Sequence, residues 1–90
     1  ISLWGVPGSQ PGQLKYPYDL VLDGKGNVYI CEFGNNRVQK FTVDGKFLGG
    51  WGSHGRREGE LYQPWAVALD SRGTLHILDT NNHRVQMISL

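Results

Sequence analysis

Asn35-Asn36-Arg37-Val38-Gln39, "NNRVQ", returns downstream as "NNHRVQ" at Asn81 to Gln86. Internal copies of this kind reveal repeat architectures, so the first step is to find the register that carries one copy onto the other. A shift of 47 positions, Trp4 to Trp51, aligns Arg37-Val38-Gln39 with Arg84-Val85-Gln86. It also pairs Gly8 with Gly55, Gly12 with Gly59, Leu14 with Leu61 and Pro17 with Pro64. Leu22-Asp23 then falls on Leu69-Asp70, Gly26 on Gly73 and Ile30 on Ile77. One register holds without a gap, so the chain is two repeats, the Trp4–Phe47 region and Trp51–Leu90, within a single unit over residues 1–90.

Outward from this motif, each copy reads as strands separated by turns. Tyr18 to Asp23 is extended and apolar, and "DGKGN" after it is a hairpin turn. Val28 to Phe33 is a second strand, "GNN" a turn of residues that tolerate left-handed backbone, and Arg37 to Val43 a third strand. Phe47 to Trp51 is a fourth. The second copy gives Trp65 to Asp70, Leu75 to Thr80 and Arg84 to Leu90, with no fourth strand and no helical spacing anywhere. By the shift, Ile1 to Gly5 matches Leu48 to Gly52, which is fourth-strand material. The strand 1–5 is therefore expected to complete a blade of a neighbouring chain, and the repeat is read as cut between its third and fourth strands.

Apolar residues occupy both alternations of one strand: Val28 and Ile30, but also Tyr29, Cys31 and Phe33. A sheet with one wet face alternates more cleanly. Four-stranded sheets covered on both faces and repeated at this period indicate an all-β chain of β-propeller blades, two four-stranded antiparallel blades per chain, with the ring closed by oligomerisation.

Composition narrows the function. With 90 residues, 39% apolar and 11% aromatic, the chain has the content of a small folded β protein, and 13 glycines and 4 prolines supply its turns. A net charge of +1 gives no electrostatic case for nucleic acid or an anionic membrane, and no apolar run is long enough to span a bilayer. One cysteine, Cys31, excludes an internal disulfide framework, and its apolar setting predicts a buried, inert thiol.

The stretch "PYDLVLDGKGNVYICEFGNNRVQKF" from Pro17 resembles an NHL repeat, as does "PWAVALDSRGTLHILDTNNHRVQMI" from Pro64. The resemblance lies in the initial Pro, the D-x-x-G turn, the acidic residue closing the second strand and N-x-R-V-Q. Glu32, where the family usually has Asp, and Asn36, where His is common, depart from it. The resemblance implies a six-bladed propeller serving mainly as a binding platform. Some members bind RNA, and a lyase acting on peptidyl hydroxyglycine uses a related propeller with metal. Likeness at the level of the repeat carries the fold and not any one activity.

The chemical signals are weighed against repeat equivalence. Gly50-Trp51-Gly52-Ser53-His54-Gly55 matches G-x-G-x-x-G, but no helix pattern follows it, so no nucleotide site is expected. His54, His76 and His83 fit no compact ligand spacing, and no metal or other cofactor is expected. Glu32 and Asp79 stand five residues before Arg37 and Arg84 in both copies. Duplication marks them as structural acid–Arg pairs rather than catalytic carboxylates, and Trp4 and Trp51 recur as packing residues between blades. The long connection "GSHGRREGELYQP" differs from its counterpart "GVPGSQPGQLKYP" at Arg56, Arg57, Glu58 and Glu60. Ligand contact, if any, is placed on this loop face, at Arg56, Arg57, Lys15, Tyr16, Tyr62 and Trp65. A non-enzymatic structural and binding module is the reading, its partners further copies of itself (a homotrimer favoured) and a protein or peptide. An RNA-binding propeller and a metal-dependent lyase-like propeller are the alternatives.

Overall fold

Turn chemistry sets the strand boundaries. In the computed structural model, which describes residues 3–90, Asp23 Oδ1 accepts the Lys25 and Asn27 N–H groups at 2.7 and 3.0 Å. Asp70 Oδ1 does the same for Arg72 and Thr74 at 2.9 and 3.0 Å. A carboxylate that mimics the next backbone acceptor closes the turn locally, and Gly26 and Gly73, at φ +83 and +80, take the left-handed step that follows.

These turns separate β1 (Pro17–Leu22), β2 (Asn27–Glu32), β3 (Arg37–Thr42) and β4 (Phe47–Trp51), then β5 (Ala66–Leu69), β6 (Thr74–Asp79) and β7 (Arg84–Ser89). Consecutive strands pair antiparallel into a sheet of order β1-β2-β3-β4 and a second of order β5-β6-β7. The fold is all-β, as the repeat reading requires. Strand limits move by a residue or so from those expected, and a three-residue 3-10 turn, Thr80–Asn82, stands where only a turn was foreseen. Of the strand expected over 1–5, Ile1 and Ser2 lie outside the described residues. Leu3, Trp4 and Gly5 form no strand within this chain, where β4 already occupies the outer edge of β3.

The sheets pack face on face. Tyr29, Cys31 and Val38 of the first join Val67, Leu75 and Ile77 of the second, and Leu61 of the connection between them, in one buried cluster. Two polar contacts pin the junction: Val67 N–H donates to Asp19 Oδ2 at 3.1 Å, and Gln63 N–H to Asn36 Oδ1 at 2.8 Å. On its far side the first sheet buries Val28, Ile30 and Phe41. Trp4 covers that side, its ring 5.0 Å from Phe41 and its Nε1 donating to the Val43 carbonyl at 3.0 Å. Trp51 borders Ile88, the counterpart of Phe41, so each Trp stands at the same place against the sheet that follows it.

Candidate binding face

The N-x-R-x-Q motif holds each long connection against its own sheet. In the first sheet Arg37 Nε donates to Glu32 Oε2 at 2.7 Å, and its Nη groups reach the carbonyls of Ser9, Gln10 and Gln13 at 3.0, 3.2 and 2.6 Å. Asn35 Nδ2 and the Lys15 N–H donate to Glu32 Oε1 at 2.7 and 3.1 Å, and Gln39 Nε2 to Oε2 at 2.8 Å. The second sheet repeats the pattern around Asp79. Arg84 Nε donates to Oδ2 at 2.7 Å, and its Nη groups reach the Arg56, Arg57 and Glu60 carbonyls at 2.9, 2.9 and 3.0 Å. Asn82 and Gln86 also donate to Oδ2, and Tyr62 N–H to Oδ1 at 2.7 Å.

Both carboxylates are fully buried, and buried charge is tolerated only when paired and hydrogen-bonded to this degree. Burial pushes the Asp79 carboxyl up, but the Tyr62, Arg84, Asn82 and Gln86 bonds outweigh it and hold it below the usual carboxylate range. Glu32 reaches with one methylene more to the amide of Lys15, the residue that aligns with Tyr62. The Asn and Gln of the motif were legible only as conserved spacing between the copies; that they complete the carboxylate's shell is visible only in three dimensions.

These clamps decide where the candidate ligand residues stand. Lys15, Tyr16 and Tyr62 share one shallow depression with Phe33, Asn36, His54 and Gln63. Tyr16 and Gln63, equivalent in the two copies, both take left-handed backbone at φ 47 and 50. Tyr62 meets His54 edge-on, with ring centroids 4.7 Å apart. Trp65 stands instead beside Tyr18 and Phe33, at 5.6 and 6.3 Å, and Tyr18 stacks on Phe33 at 4.7 Å. Arg56 and Arg57 border neither group. Their carbonyls serve Arg84, and their side chains are exposed. The six residues therefore divide into a Lys15–Tyr16–Tyr62 depression, an aromatic cluster around Trp65 and a separate pair of arginines. Tyr18 and Phe33 were not among them, although Phe33 facing Thr80 in the other copy was a readable break in equivalence.

Other signals settle into structural places. Burial, with the Asp19 and Glu32 charges adding, raises the Cys31 thiol to about 12, a protonated and inert group. His76 Nε2 lies 2.9 Å from Asp70 Oδ2, and that bond chiefly holds the Asp70 carboxyl low. His83 caps the 3-10 turn at φ 55. Gly50 belongs to β4, and the stretch after Gly55 runs on as irregular connection.

Two antiparallel sheets packed face on face, each preceded by a long connection clamped to it through a buried acid–Arg pair, are blades of a β-propeller. Residues 14–41 and 61–87 match the NHL repeat, together more than half of the chain. The chain belongs to the NHL repeat family. Protein lin-41 of Caenorhabditis elegans is 40% identical over 48 residues, 53% of this chain and 4% of that protein. NHL repeat-containing protein 3 of Homo sapiens is 38% identical over 50 residues, 52% of this chain and 14% of that protein. The chain thus spans a small part of the length of these relatives.

Proposed function

We propose that this chain is a structural and binding module whose outward blade faces are covered by further blades of the same kind. Three copies close a six-bladed ring, the blade number the family resemblance implies. One observation carries the reading. The inner face of the second sheet (Val67, Leu75, Ile77) is, position for position, the outer face of the first (Leu20, Val28, Ile30). Likewise the buried Cys31 and Val38 have exposed counterparts in Leu78 and Val85. Each open face therefore matches the partner that the other face lacks, and head-to-tail contact between copies reuses an interface already built once inside the chain. Such heterologous contacts close into rings.

Binding rather than catalysis is the assigned role. Glu32 and Asp79, the recurrent buried carboxylates, have both oxygens committed to donors from the fold. The ligand face is the loop end, where Tyr16, Tyr18, Phe33, Tyr62 and Trp65 offer apolar rings with Lys15 among them, and Arg56 and Arg57 add an exposed cationic pair set apart from the rings. Mixed with Glu58 and Glu60, this surface suits a protein or peptide segment better than a phosphate backbone. Light scattering across a dilution series tests the ring: the expected mass is three times the 10.1 kDa of one chain. A monomer at every concentration overturns it. For the ligand face, binding to single-stranded RNA that falls steeply with salt would transfer the surface to nucleic acid.

A further inference from the structure

Tyr16 stands where the repeat backbone turns left-handed, at φ 47, a conformation that glycine or asparagine takes more easily than a bulky ring. The second copy fills the same place differently. Gln63, the counterpart at φ 50, accepts a hydrogen bond from Asn81 Nδ2 on its Oε1, so two side chains there satisfy each other. In the first copy the position of Asn81 is Gly34, and a Cβ on it would lie 2.9 Å from Tyr16 Cδ2 and 2.7 Å from Lys15 Cγ. Gly34 thus makes room for a ring that buries little, since Tyr16 is 64% exposed. Further rings continue from it. Phe33 borders the depression that Lys15, Tyr16 and Tyr62 line, and it also stacks on Tyr18, with Trp65 edge-on to both. The polar ends of these rings are open. Among the described residues Tyr29 alone of the four tyrosines donates its hydroxyl within the fold, to Asp23 Oδ2 at 3.2 Å. Lys15 likewise has no carboxylate at ion-pair distance among the described residues, and no acidic side chain lines the depression.

We infer that this aromatic strip binds a proline-rich segment carrying an acidic residue, with the prolines on the rings and the carboxylate at Lys15. This rests on the reading of the loop end as the ligand face and names its occupant. The strip lies at the junction that the chain builds between its own two sheets, so it is complete without the ring. A polyproline II segment has no internal hydrogen bonds, and its carbonyls stay open to donors. Phenol hydroxyls and an indole N–H set among ring faces supply such donors, and the stiff segment loses little freedom on docking. A depression of about 380 Å³ that is open and shallow accepts flat pyrrolidine rings, whereas a long aliphatic anchor needs depth. Charge decides against the rivals. Lys15 repels a cationic peptide. A nucleic-acid strand needs a basic groove along its backbone, and one lysine with no arginine beside the rings does not provide it.

The test uses the full chain and a set of short, end-blocked, fluorescein-labelled peptides, all proline except for one aspartate whose place is varied. Fluorescence polarisation is expected to show saturable binding, weakened about tenfold by Trp65→Ala and by Tyr16→Asn, the effect of losing an aromatic anchor. Tyr16→Asn should hold or raise the melting temperature while binding is lost, which separates a ligand contact from a structural role and keeps the test open if Trp65→Ala folds poorly. Lys15→Ala should weaken the aspartate peptides and remove the salt dependence of their binding. Aspartate peptides with alanine in place of proline, bound as tightly and as sensitive to Tyr16→Asn, overturn the proline inference and leave the ligand face standing. Tighter binding of oligouridylate, falling steeply with salt, overturns the inference together with the peptide reading of this face. Absence of binding by every proline peptide, or an affinity that neither Trp65→Ala nor Tyr16→Asn changes, overturns the inference as well.

Discussion

The two sheets are copies of one repeat whose polar scaffolds agree and whose apolar faces do not. Arg37 and Arg84 stand at the same 2.7 Å from their carboxylates and each collects three carbonyls of the preceding connection. Yet Val38 is 0% exposed and its counterpart Val85 55%, while Cys31 is 0% exposed and its counterpart Leu78 44%. The difference arises from position along the chain rather than from residue type. The first sheet has a blade behind it and an edge strand beside β3; among the described residues the second has neither. A repeat sequence thus carries instructions for interfaces that a single copy leaves open, as expected where each unit buries its face only by stacking.

The sharpest way to break this comparison is to remove both arginines in turn. Arg37→Ala strands a fully buried Glu32 and releases three connection carbonyls, and is expected to cost about 3 kcal/mol. Arg84→Ala removes the same bonds from a side chain that is 31% exposed, against 14% for Arg37, so water recovers part of the loss and about 1–2 kcal/mol is expected. Urea unfolding at one fixed protein concentration measures both. Equal losses would show that the second clamp is as deeply enclosed in solution as the first.

Next in size is the apolar pair. Val38→Ala opens a cavity in the shared cluster and should cost about 2 kcal/mol at any protein concentration. Val85→Ala should cost less than about 0.5 kcal/mol in dilute solution and approach the Val38 value where the ring forms, because assembly then contributes to stability. Thermal melts across a dilution series separate the two behaviours. A concentration-independent cost at Val85 would remove the main support for covered outer faces.

Repeat number, strand order and the acid–Arg pairs were legible because each depends on local spacing: Asp-x-x-Gly closes a hairpin, and five residues separate acid from arginine across β2 and β3. The candidate binding face was legible only in part. Lys15, Tyr16 and Tyr62 converge because the clamps at Glu32 and Asp79 fix both connections, whereas Arg56 and Arg57 are carried away by the carbonyl bonds to Arg84. No spacing rule reports which way such a loop folds. Tyr18, Phe33 and Trp65 meet across the junction between sheets, a contact set by blade packing and not by distance along the chain.

Acid offers a milder probe of the second clamp. The Asp79 carboxyl is held below its ordinary value, so its contribution to stability is fully present above the ordinary Asp range near 3.9 and is lost as pH falls through the lowered value. Melting temperature should therefore fall on acidification below about pH 4. Asp79→Asn, already less stable at neutral pH, should show a shallower acid limb. An unchanged limb would mean that another carboxylate dominates it.

The smallest effect concerns the turn before β3 and its counterpart before β7. Asn36 and His83 occupy equivalent left-handed positions, at φ 54 and 55. Asn adopts this conformation at less cost than most residues because its short polar side chain bonds locally. Asn36 does more, accepting the Gln63 N–H at 2.8 Å and so tying the first sheet to the second. His83→Asn should ease the backbone and raise stability by about 0.3–0.5 kcal/mol, a rise of roughly 1–4 °C in melting temperature for a chain of this size. If the ring forms, the same substitution recreates at its seam the acceptor that Asn36 provides inside the chain, facing the amide of Tyr16 from the next copy. The gain should then grow with protein concentration. A loss of stability confined to high concentration would instead assign the His83 imidazole a contact of its own across the seam, making the two junctions of the ring chemically distinct.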